Sequence, residues 1–533
     1  MSIRMKTTTH MFSHRNIKFL DRKVQLIVNR EMATKNKHSD DKRKDPNNSD
    51  QRMLRTGQIV SLKISGLDDE GFGTASHEGK KVLVTGALPG ETVSFRVTHS
   101  GARTVFGETI KILSPSPSRT ASSPCKTPAC INCPLIPMDY RAQLALKLNF
   151  VENEIRSFSS LRTVPVHDVI PSPRPLEYRN SAKLVVAGTF RAPIIGIYRR
   201  NSHDVVNIGS CPLHHPLINR VVAAVKEGIT KGKVPVYNPR TGTGILRYLV
   251  VRVSEHSGRA MVVFVTARRS YNEIHHLAKF VQKEVPKLDV AVQNVNSSEG
   301  NVILGQQDHF LTKDHVLIEE LGGVRFSISP RSFFQVNSGS ARIIYEKVRE
   351  WSALTGTEKV VDLYCGIGGI SLFLAAQAKE VHGIEYVDAA VADAERNARL
   401  NRVRNCTFEA GDASELLEEL VDEGTKPDLV VFNPPRKGCD RRVLEAAAAS
   451  GPSTMIYVSC SPVTLARDLD ILARLGYRTR EIQPVDMFPQ TPHVENVALL
   501  VKSDGDKSAG KGQTEAPPRN HPHSRRKKRR ASV

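Results

Sequence analysis

Along residues 57–113 apolar and polar positions alternate in short runs: QIVSLKISGL, DDEGFG, KKVLVTGALPGETVSFRV and GETIKIL. Alternation with period two marks a half-buried strand, and Gly71, Gly73 and Pro89-Gly90 supply the reversals. Short strands over so few residues predict a small OB-like barrel, a common oligonucleotide platform. In residues 140–158 the period changes: Leu144, Leu148, Val151 and Ile155 fall at helical spacing. Residues 176–328 mix strand-like runs (SAKLVVAGTF, YLVVRVS, AMVVFVTA, DVAVQNVN) with helical ones (HPLINRVVAAVKEGI, YNEIHHLAKFVQKEV), an α+β pattern. The run Ile245–Val253 is strand-sized although Arg247 and Arg252 interrupt it.

From residue 326 strands and helices alternate. VVDLYCG leads to a helix starting near Gly369, and VHGIEYV leads to DAAVADAERNARLN. CTFEAGDA, DLVVFNPP, MIYVSCSP and VALLVK are further strands. Such alternation predicts a doubly wound, largely parallel α/β sheet of Rossmann-like form. The expected organisation is multidomain: a basic extension (1–56), the barrel (57–113), a cysteine-bearing segment with a central α+β domain (114–325), the α/β domain (326–502) and a basic tail (503–533).

Charge adds a class of partner. The chain of 533 residues carries a formal +21. Residues 1–56 hold 14 basic and 6 acidic residues, and residues 502–533 hold 10 and 3, so the ends account for +15 and the rest for +6. Both ends are polar, poor in aromatics and expected to be disordered. The run from Arg525 to Arg530 is an electrostatic tether for phosphate. Residues 1–52 also read as an extension ahead of a start at Met53. The central domain contributes Arg179, Arg199, Arg200, Arg247 and Arg252. A polyanion such as RNA is the expected partner; no protein partner is evident. No apolar run approaches the roughly 18–20 residues that span a bilayer, and the N-terminus lacks the apolar block of a secretory signal. The expected setting is cytoplasmic.

Three of the eight cysteines form Cys125-x4-Cys130-x2-Cys133 in a Pro/Ser-rich loop, and Cys211 lies well downstream in GSCPLHHP. Structural disulfides are the less expected use in such a chain. Three clustered thiolates and one remote one suit a [4Fe–4S] cluster or an all-cysteine zinc site, with His214 and His215 as alternative zinc ligands.

Val360–Gly369 reads strand, acidic end, glycine turn, helix. Gly366, Gly368 and Gly369 let backbone approach a ligand at the strand's carboxyl end. Glu385 ends the next strand, placed for ribose hydroxyls, and Asp412, after the third, for an adenine amino group. The DxxCGxGG pattern lacks the GxGxxG of dinucleotide enzymes, which favours S-adenosylmethionine over NAD. Asn433-Pro434-Pro435-Arg436 ends the fourth strand. Cys460 ends the fifth, ahead of an amphipathic helix whose N-terminus is expected to favour the thiolate. Beside a methyl donor such a thiolate has a use: addition to C6 of uracil makes C5 nucleophilic, and a base then removes the C5 proton. Glu495, before the last strand, is the expected base, with His493 the weaker option.

SPRSFFQVN (Ser329–Asn337), DLYCGIGG, NPPRKG, YVSCSPVTLARD and FPQTPHVE together resemble the RNA 5-methyluridine methyltransferase family. The barrel, with GFG and ALPGE, resembles that family's TRAM domain, and the likeness covers about residues 55–502. The resemblance implies Cys460 as nucleophile and Glu495 as base. It implies Gln335, Tyr364, Gly369, Glu385, Asp412 and Asn433 at the S-adenosylmethionine site. It also implies Cys125, Cys130, Cys133 and Cys211 as [4Fe–4S] ligands. Barrel plus cysteines resemble the 23S ribosomal RNA branch more than the transfer RNA branch. The chain departs from the family in two places: an x4 cysteine spacing where x5 is usual, and Asn433 where Asp is usual. Asn-Pro-Pro is also the pattern of enzymes that methylate exocyclic amines, which keeps an amino-group methyltransferase as a rival.

Overall fold

A computed structural model describes residues 54–127, 129–200, 202–298 and 302–503. The basic extension, up to residue 53, and the tail from 504, with its Arg525–Arg530 run, lie outside the described residues.

The N-terminal strands form a six-stranded sheet in the order Ile59–Lys63, Thr92–Ser100, Thr104–Ser114, Lys80–Thr85, Gly73–His77, Gly66–Leu67. Gly71 (φ +84°) and Gly90 (φ +85°) take the left-handed turns that glycine allows without penalty. A Cβ on Gly71 would stand 2.4 Å from Pro134 Cγ, so the turn packs directly on the cysteine loop. Glu91, fully buried, ties the same two segments: it accepts from Arg119 Nε at 2.6 Å and from Ser116 N–H.

The central sheet has seven strands, ordered Gln307–Phe310, Leu288–Val295, Ala260–Thr266, Leu246–Val253, Ser181–Thr189, Ala192–Tyr198, Val205–Asn207. Its helices Pro216–Lys231 and Tyr271–Glu284 cover one face through Ile218, Val221, Val225, Ile274 and Val281. The other face, with Val250, Met261, Val263 and Val292, joins a core that continues into the α/β domain through Leu317, Phe326, Ile344 and Val431. Leu246–Val253 is buried along its whole length, both arginines included. The hairpin of Leu317–Leu321 and Val324–Ile328 straddles the expected boundary at 325–326 and is fastened to the α/β domain: Asn397 Oδ1 accepts from Ser327 N–H, and Asn401 Oδ1 from Arg325 N–H.

The C-terminal sheet runs Cys406–Ala410, Glu380–Glu385, Lys359–Leu363, Leu429–Phe432, Thr454–Ser459, Glu495–Lys502, Tyr477–Val485. The first five are parallel, and Glu495–Lys502 runs antiparallel to both of its neighbours. Tyr477–Val485 has no counterpart among the expected strands, because its charged positions (Arg478, Arg480, Glu481) hide the alternation of an edge strand. Strand order reverses between Lys359–Leu363 and Leu429–Phe432, the switch point where open α/β sheets bind ligands.

Helix Tyr140–Arg156 departs from its expected stripe. Gln143, Lys147, Val151 and Ile155 are fully buried, whereas Leu144 and Leu148 are only partly so. Asp139 caps it, accepting from Arg141 and Ala142 N–H. Among the described residues no helix is long and apolar enough to cross a membrane.

Candidate active site

At the carboxyl edge of the parallel strands lies a cavity of about 1110 Å³. It is lined by Gln335, Tyr364, Gly369, Glu385, Asp412, Asn433, Cys460 and Glu495. These are all eight residues expected from sequence to hold the cofactor and do the chemistry, drawn from positions 335 to 495.

Sheet register explains the convergence. Leu363 pairs with Ile384 on one side and Phe432 on the other, and Phe432 pairs with Tyr457, so the strands end level. After Leu363 the chain turns sharply. Tyr364 takes φ +64°, uncommon for a residue with Cβ, and Gly368 (φ +80°) opens helix Gly369–Leu374. A Cβ on Gly369 would stand 2.7 Å from the Tyr345 hydroxyl, so only glycine fits between helix and ring. Glu385 accepts from Gly366 N–H at 3.1 Å and Val387 N–H at 3.0 Å, which fixes its carboxylate beside the glycine turn. Asp412 caps helix Ala413–Asp422. Its Oδ1 takes the Ser414 hydroxyl at 2.5 Å and the Ser414 and Glu415 N–H groups, which hold its carboxyl below the usual range.

Asp362, at the end of its strand, is fully buried and lines the same cavity. Burial pushes its carboxyl up to about 7, against the Ser371 hydroxyl that donates to Oδ2 at 2.6 Å. Oδ1 has no partner among the described residues. Sequence reading noted this residue only as the acidic end of a strand.

Ser459 pairs with Asn496 across the antiparallel ladder, so Cys460 and Glu495 stand at the same end of neighbouring strands. Cys460 is half-buried and Glu495 buried at 6% exposure. Burial pushes the thiol up to about 11, and the Glu495 carboxylate adds to this, while Arg436 opposes it. Withdrawal from water thus works against the help that the following helix was expected to give the thiolate. Burial likewise raises Glu495 to about 8, again opposed by Arg436. Arg436 is the cation shared by both groups. It stands directly after Asn433-Pro434-Pro435, and that adjacency was the available signal for it.

His493 is half-buried and lowered to about 4 by burial, with Arg436, Lys147 and Arg179 adding repulsion. It does not line the cavity with Glu495.

The loop that carries Glu495 is gripped by groups invisible in a periodicity scan. Lys147 Nζ meets Asp486 at 2.6 Å with both side chains fully buried, and donates to the Phe488 carbonyl at 3.1 Å. Gln143 accepts from Gln490 N–H and donates to Gln490 Oε1, each at 2.9 Å. Gln490 itself takes φ +70°. Asn337 Nδ2 donates to the Met487 carbonyl at 3.0 Å.

The four cysteines are half-buried neighbours: Cys133 lies within electrostatic reach of Cys211, Cys130 and Cys125, and of Arg179. Among the described residues no three His, Cys, Asp or Glu side chains are gathered closely enough to hold a metal ion as they stand. His214 is buried and lowered to about 4 by burial, with Arg179 adding to the shift. His215 instead caps helix Pro216–Lys231, its Nδ1 accepting from Leu217 N–H at 3.1 Å.

Comparison with known proteins gives this geometry a family. Residues 139–503 match the family described as tRNA (Uracil-5-)-methyltransferase, and residues 54–110 match the TRAM domain. An uncharacterized RNA methyltransferase of Geobacter sulfurreducens is 66% identical over 449 residues, covering 84% of this chain and 91% of its own. Another, of Enterococcus faecalis, is 38% identical over 450 residues, covering 84% and 98%. Among solved structures, the Pyrococcus abyssi tRNA (uracil-54, C5)-methyltransferase in complex with S-adenosyl-L-homocysteine is 30% identical. It superposes with a TM-score of 0.67 over 83% of this chain and 100% of its own. The chain therefore belongs to the tRNA (uracil-5-)-methyltransferase family of RNA methyltransferases and carries a TRAM domain ahead of its methyltransferase region.

Proposed function

We propose that this chain methylates C5 of uridine in RNA, with Cys460 as nucleophile and Glu495 as base. The observation that carries the reading is the single cavity in which Cys460, Glu495 and the six expected cofactor residues meet. A volume of about 1110 Å³ is at the upper end for one small ligand and suits a cofactor together with a nucleobase.

Bound S-adenosylmethionine supplies an electrophilic sulfonium methyl. Glu385 and Asp412 are placed for its ribose and adenine, and Gln335, Tyr364, Gly369 and Asn433 complete the wall. The Pyrococcus abyssi protein, solved with S-adenosyl-L-homocysteine, supports the choice of cofactor. Cys460 loses its proton to solvent and adds as the thiolate to C6 of the uracil, which loads electron density onto C5. C5 takes the methyl group, and S-adenosyl-L-homocysteine is the leaving group. Glu495 removes the C5 proton, the Cys460–C6 bond breaks to release 5-methyluridine and the thiolate, and exchange with solvent restores the thiol and the carboxylate. Arg436 favours the charged form of both groups at the moments when each must be ionised. Phe333 and Tyr386, 72% and 76% exposed, line the same cavity and offer ring faces to a base drawn out of its stack.

Among RNA targets we propose 23S ribosomal RNA, on the pairing of TRAM domain and cysteine set, with a [4Fe–4S] cluster held by Cys125, Cys130, Cys133 and Cys211. Four thiols of matching softness, drawn from one loop and one remote position, suit that group. They would hold it as a structural or RNA-contact element, in a reducing cytoplasmic setting. Transfer RNA is the second reading, favoured by the tRNA enzyme with which the chain superposes.

Nucleoside mass spectrometry of ribosomal and transfer RNA, from cells with and without the protein, tests both. Loss of 5-methyluridine from the 23S fraction is expected; loss from the tRNA fraction alone moves the assignment. The variant Cys460→Ala should abolish C5 methylation. Activity that survives in this variant, with a methylated exocyclic amine as product, would transfer the chemistry to Asn433-Pro434-Pro435.

A further inference from the structure

We propose that Lys183 and Arg252 form a phosphodiester-binding site on the central sheet, which holds the RNA backbone beside the cavity. The inference rests on the RNA reading above and adds a named contact to it.

Both residues lie on neighbouring antiparallel strands. The register pairs Lys183 with Val250 and Ser181 with Arg252, so the two cations share one face of the sheet, with the pair Ala182–Val251 between them. That face carries Val250, Met261 and Val263 and is turned toward the α/β domain. Arg252 is 7% exposed. It makes one long hydrogen bond, from Nη2 to the Pro330 carbonyl at 3.4 Å, and its buried Nε has no partner. Lys183 reaches solvent next to it. Among the described residues neither side chain forms an ion pair.

Several other basic side chains of this region are engaged. Arg247 donates to the carbonyls of Asn296 at 2.6 Å and Ser298 at 2.8 Å and lies over the Tyr237 ring. Arg200 pairs with Glu70 of the TRAM domain and lies 4.5 Å from the centre of the Phe72 ring. Arg174 pairs with Glu255, Arg259 with Asp289, and Arg331 with Asp308. Lys183 and Arg252 stand apart as adjacent cations with no carboxylate between them. A buried guanidinium without a counter-charge is unfavourable, and a second cation on the same face makes it worse. Burial alone pulls Arg252 down to about 10, and Lys183 is lowered by burial and by Arg252. An anion seated between them would relieve both.

Position selects the anion. Pro330 lies between Ser329 and Arg331, both of which line the cavity. A nucleotide whose base enters that cavity must carry its backbone past this loop. A phosphodiester offers one charge and two oxygens, which match a guanidinium fork on one side and an ammonium on the other.

The test uses the full chain saturated with S-adenosyl-L-homocysteine, so that binding is read without turnover. The probe is a set of unmodified 23S fragments and tRNA transcripts, and affinity is measured across a potassium chloride series. K183Q and R252Q should each weaken binding about three- to tenfold and reduce the magnitude of the salt slope by about 0.7, the value for one lost single-strand phosphate contact. R252K should keep the slope. Without RNA, the thermal midpoint of R252Q should equal or exceed that of the parent, because an uncompensated buried cation has been removed. S-adenosyl-L-homocysteine affinity should be unchanged. An unaltered slope in both variants overturns the site. A lower midpoint in R252Q with weakened cofactor binding also overturns it, and assigns Arg252 to holding the Pro330 loop instead. K183Q, at a solvent-reaching position, decides the matter if R252Q does not fold. A parent chain that binds none of the transcripts refutes the RNA reading itself, and this site with it.

Discussion

Cys460 and Glu495 form a pair whose charge state is set by what surrounds them. With the thiol pushed up to about 11 and the carboxyl to about 8, the pair is largely proton-loaded at neutral pH. Base and thiol must both ionise to act, so single-turnover methylation should rise steeply as pH approaches about 8 and less steeply from there toward about 11; a profile with no change of slope near 8 would remove Glu495 from that role. In Glu495→Gln the C5 proton has no acceptor. A covalent protein–RNA adduct should accumulate on denaturing gels, and free turnover in this variant refutes the assignment. The same shift has a stability sign. The folded pKa lies above the ordinary 4.5, so below that pH both states hold the proton and the group is neutral to stability. Between 4.5 and about 8 only the folded chain keeps the proton, and stability falls as pH rises. Above about 8 folding must bury a charge. Glu495→Gln should therefore melt higher than the parent in alkaline buffer, by a margin equivalent to a few kcal/mol, and match it in acid. The local signals, a thiol at a strand-to-helix turn and a carboxylate before a strand, were legible. The depth of burial that governs both was not.

One element does most to aim the base. Helix Tyr140–Arg156 turns Gln143 and Lys147, not its leucines, fully inward, and both grip the loop that leads to Glu495. Periodicity missed them because it counts apolar residues, and here two of the four fully buried positions are an amide and an ammonium matched to partners more than 300 positions away. Tyr140 Oη also donates to Asp486 Oδ2 at 2.8 Å, so the aspartate has two partners from one helix. Lys147→Met leaves Asp486 buried with no cation. It should lower stability by about 3–5 kcal/mol, read by denaturant unfolding. The double variant Lys147→Met/Asp486→Asn should recover much of that loss; equal losses in single and double variants would mean that the ion pair is not the cause.

At the scale of the whole molecule, the cavity is lined entirely by residues between Ser329 and Glu495, and the other two sheets act on it through packing. The central sheet and the α/β sheet share a continuous apolar core, which fixes one against the other. The TRAM turn at Gly71 approaches Pro134 of the cysteine loop and Pro492 of the loop before Glu495. Leu135 N–H donates to the Gln490 carbonyl at 3.1 Å, so the cysteine loop is one hydrogen bond from the catalytic loop. A cluster on these cysteines would brace the base from behind. Purified without oxygen, the chain should be brown and carry about four irons per polypeptide. A colourless protein containing zinc would overturn the iron assignment. Chelation of the metal should speed hydrogen exchange across residues 486–495, and unchanged exchange there would sever the bracing from the site.

The order of strands and helices, the glycine turn, and the identities of Cys460, Glu495, Glu385 and Asp412 follow from local pattern, because turn chemistry and periodicity act over a few residues. The α/β strands read from alternation reappear as strands, and the motif residues line one cavity. Four features emerge only from packing: the burial of Gln143 and Lys147, the sharing of Arg436 by thiol and carboxyl, the suppressed ionisation of that pair, and the bare cations at Lys183 and Arg252. Each depends on which distant groups are brought within a few ångströms and how much water is excluded, and neither quantity is encoded in the spacing of residues along a chain.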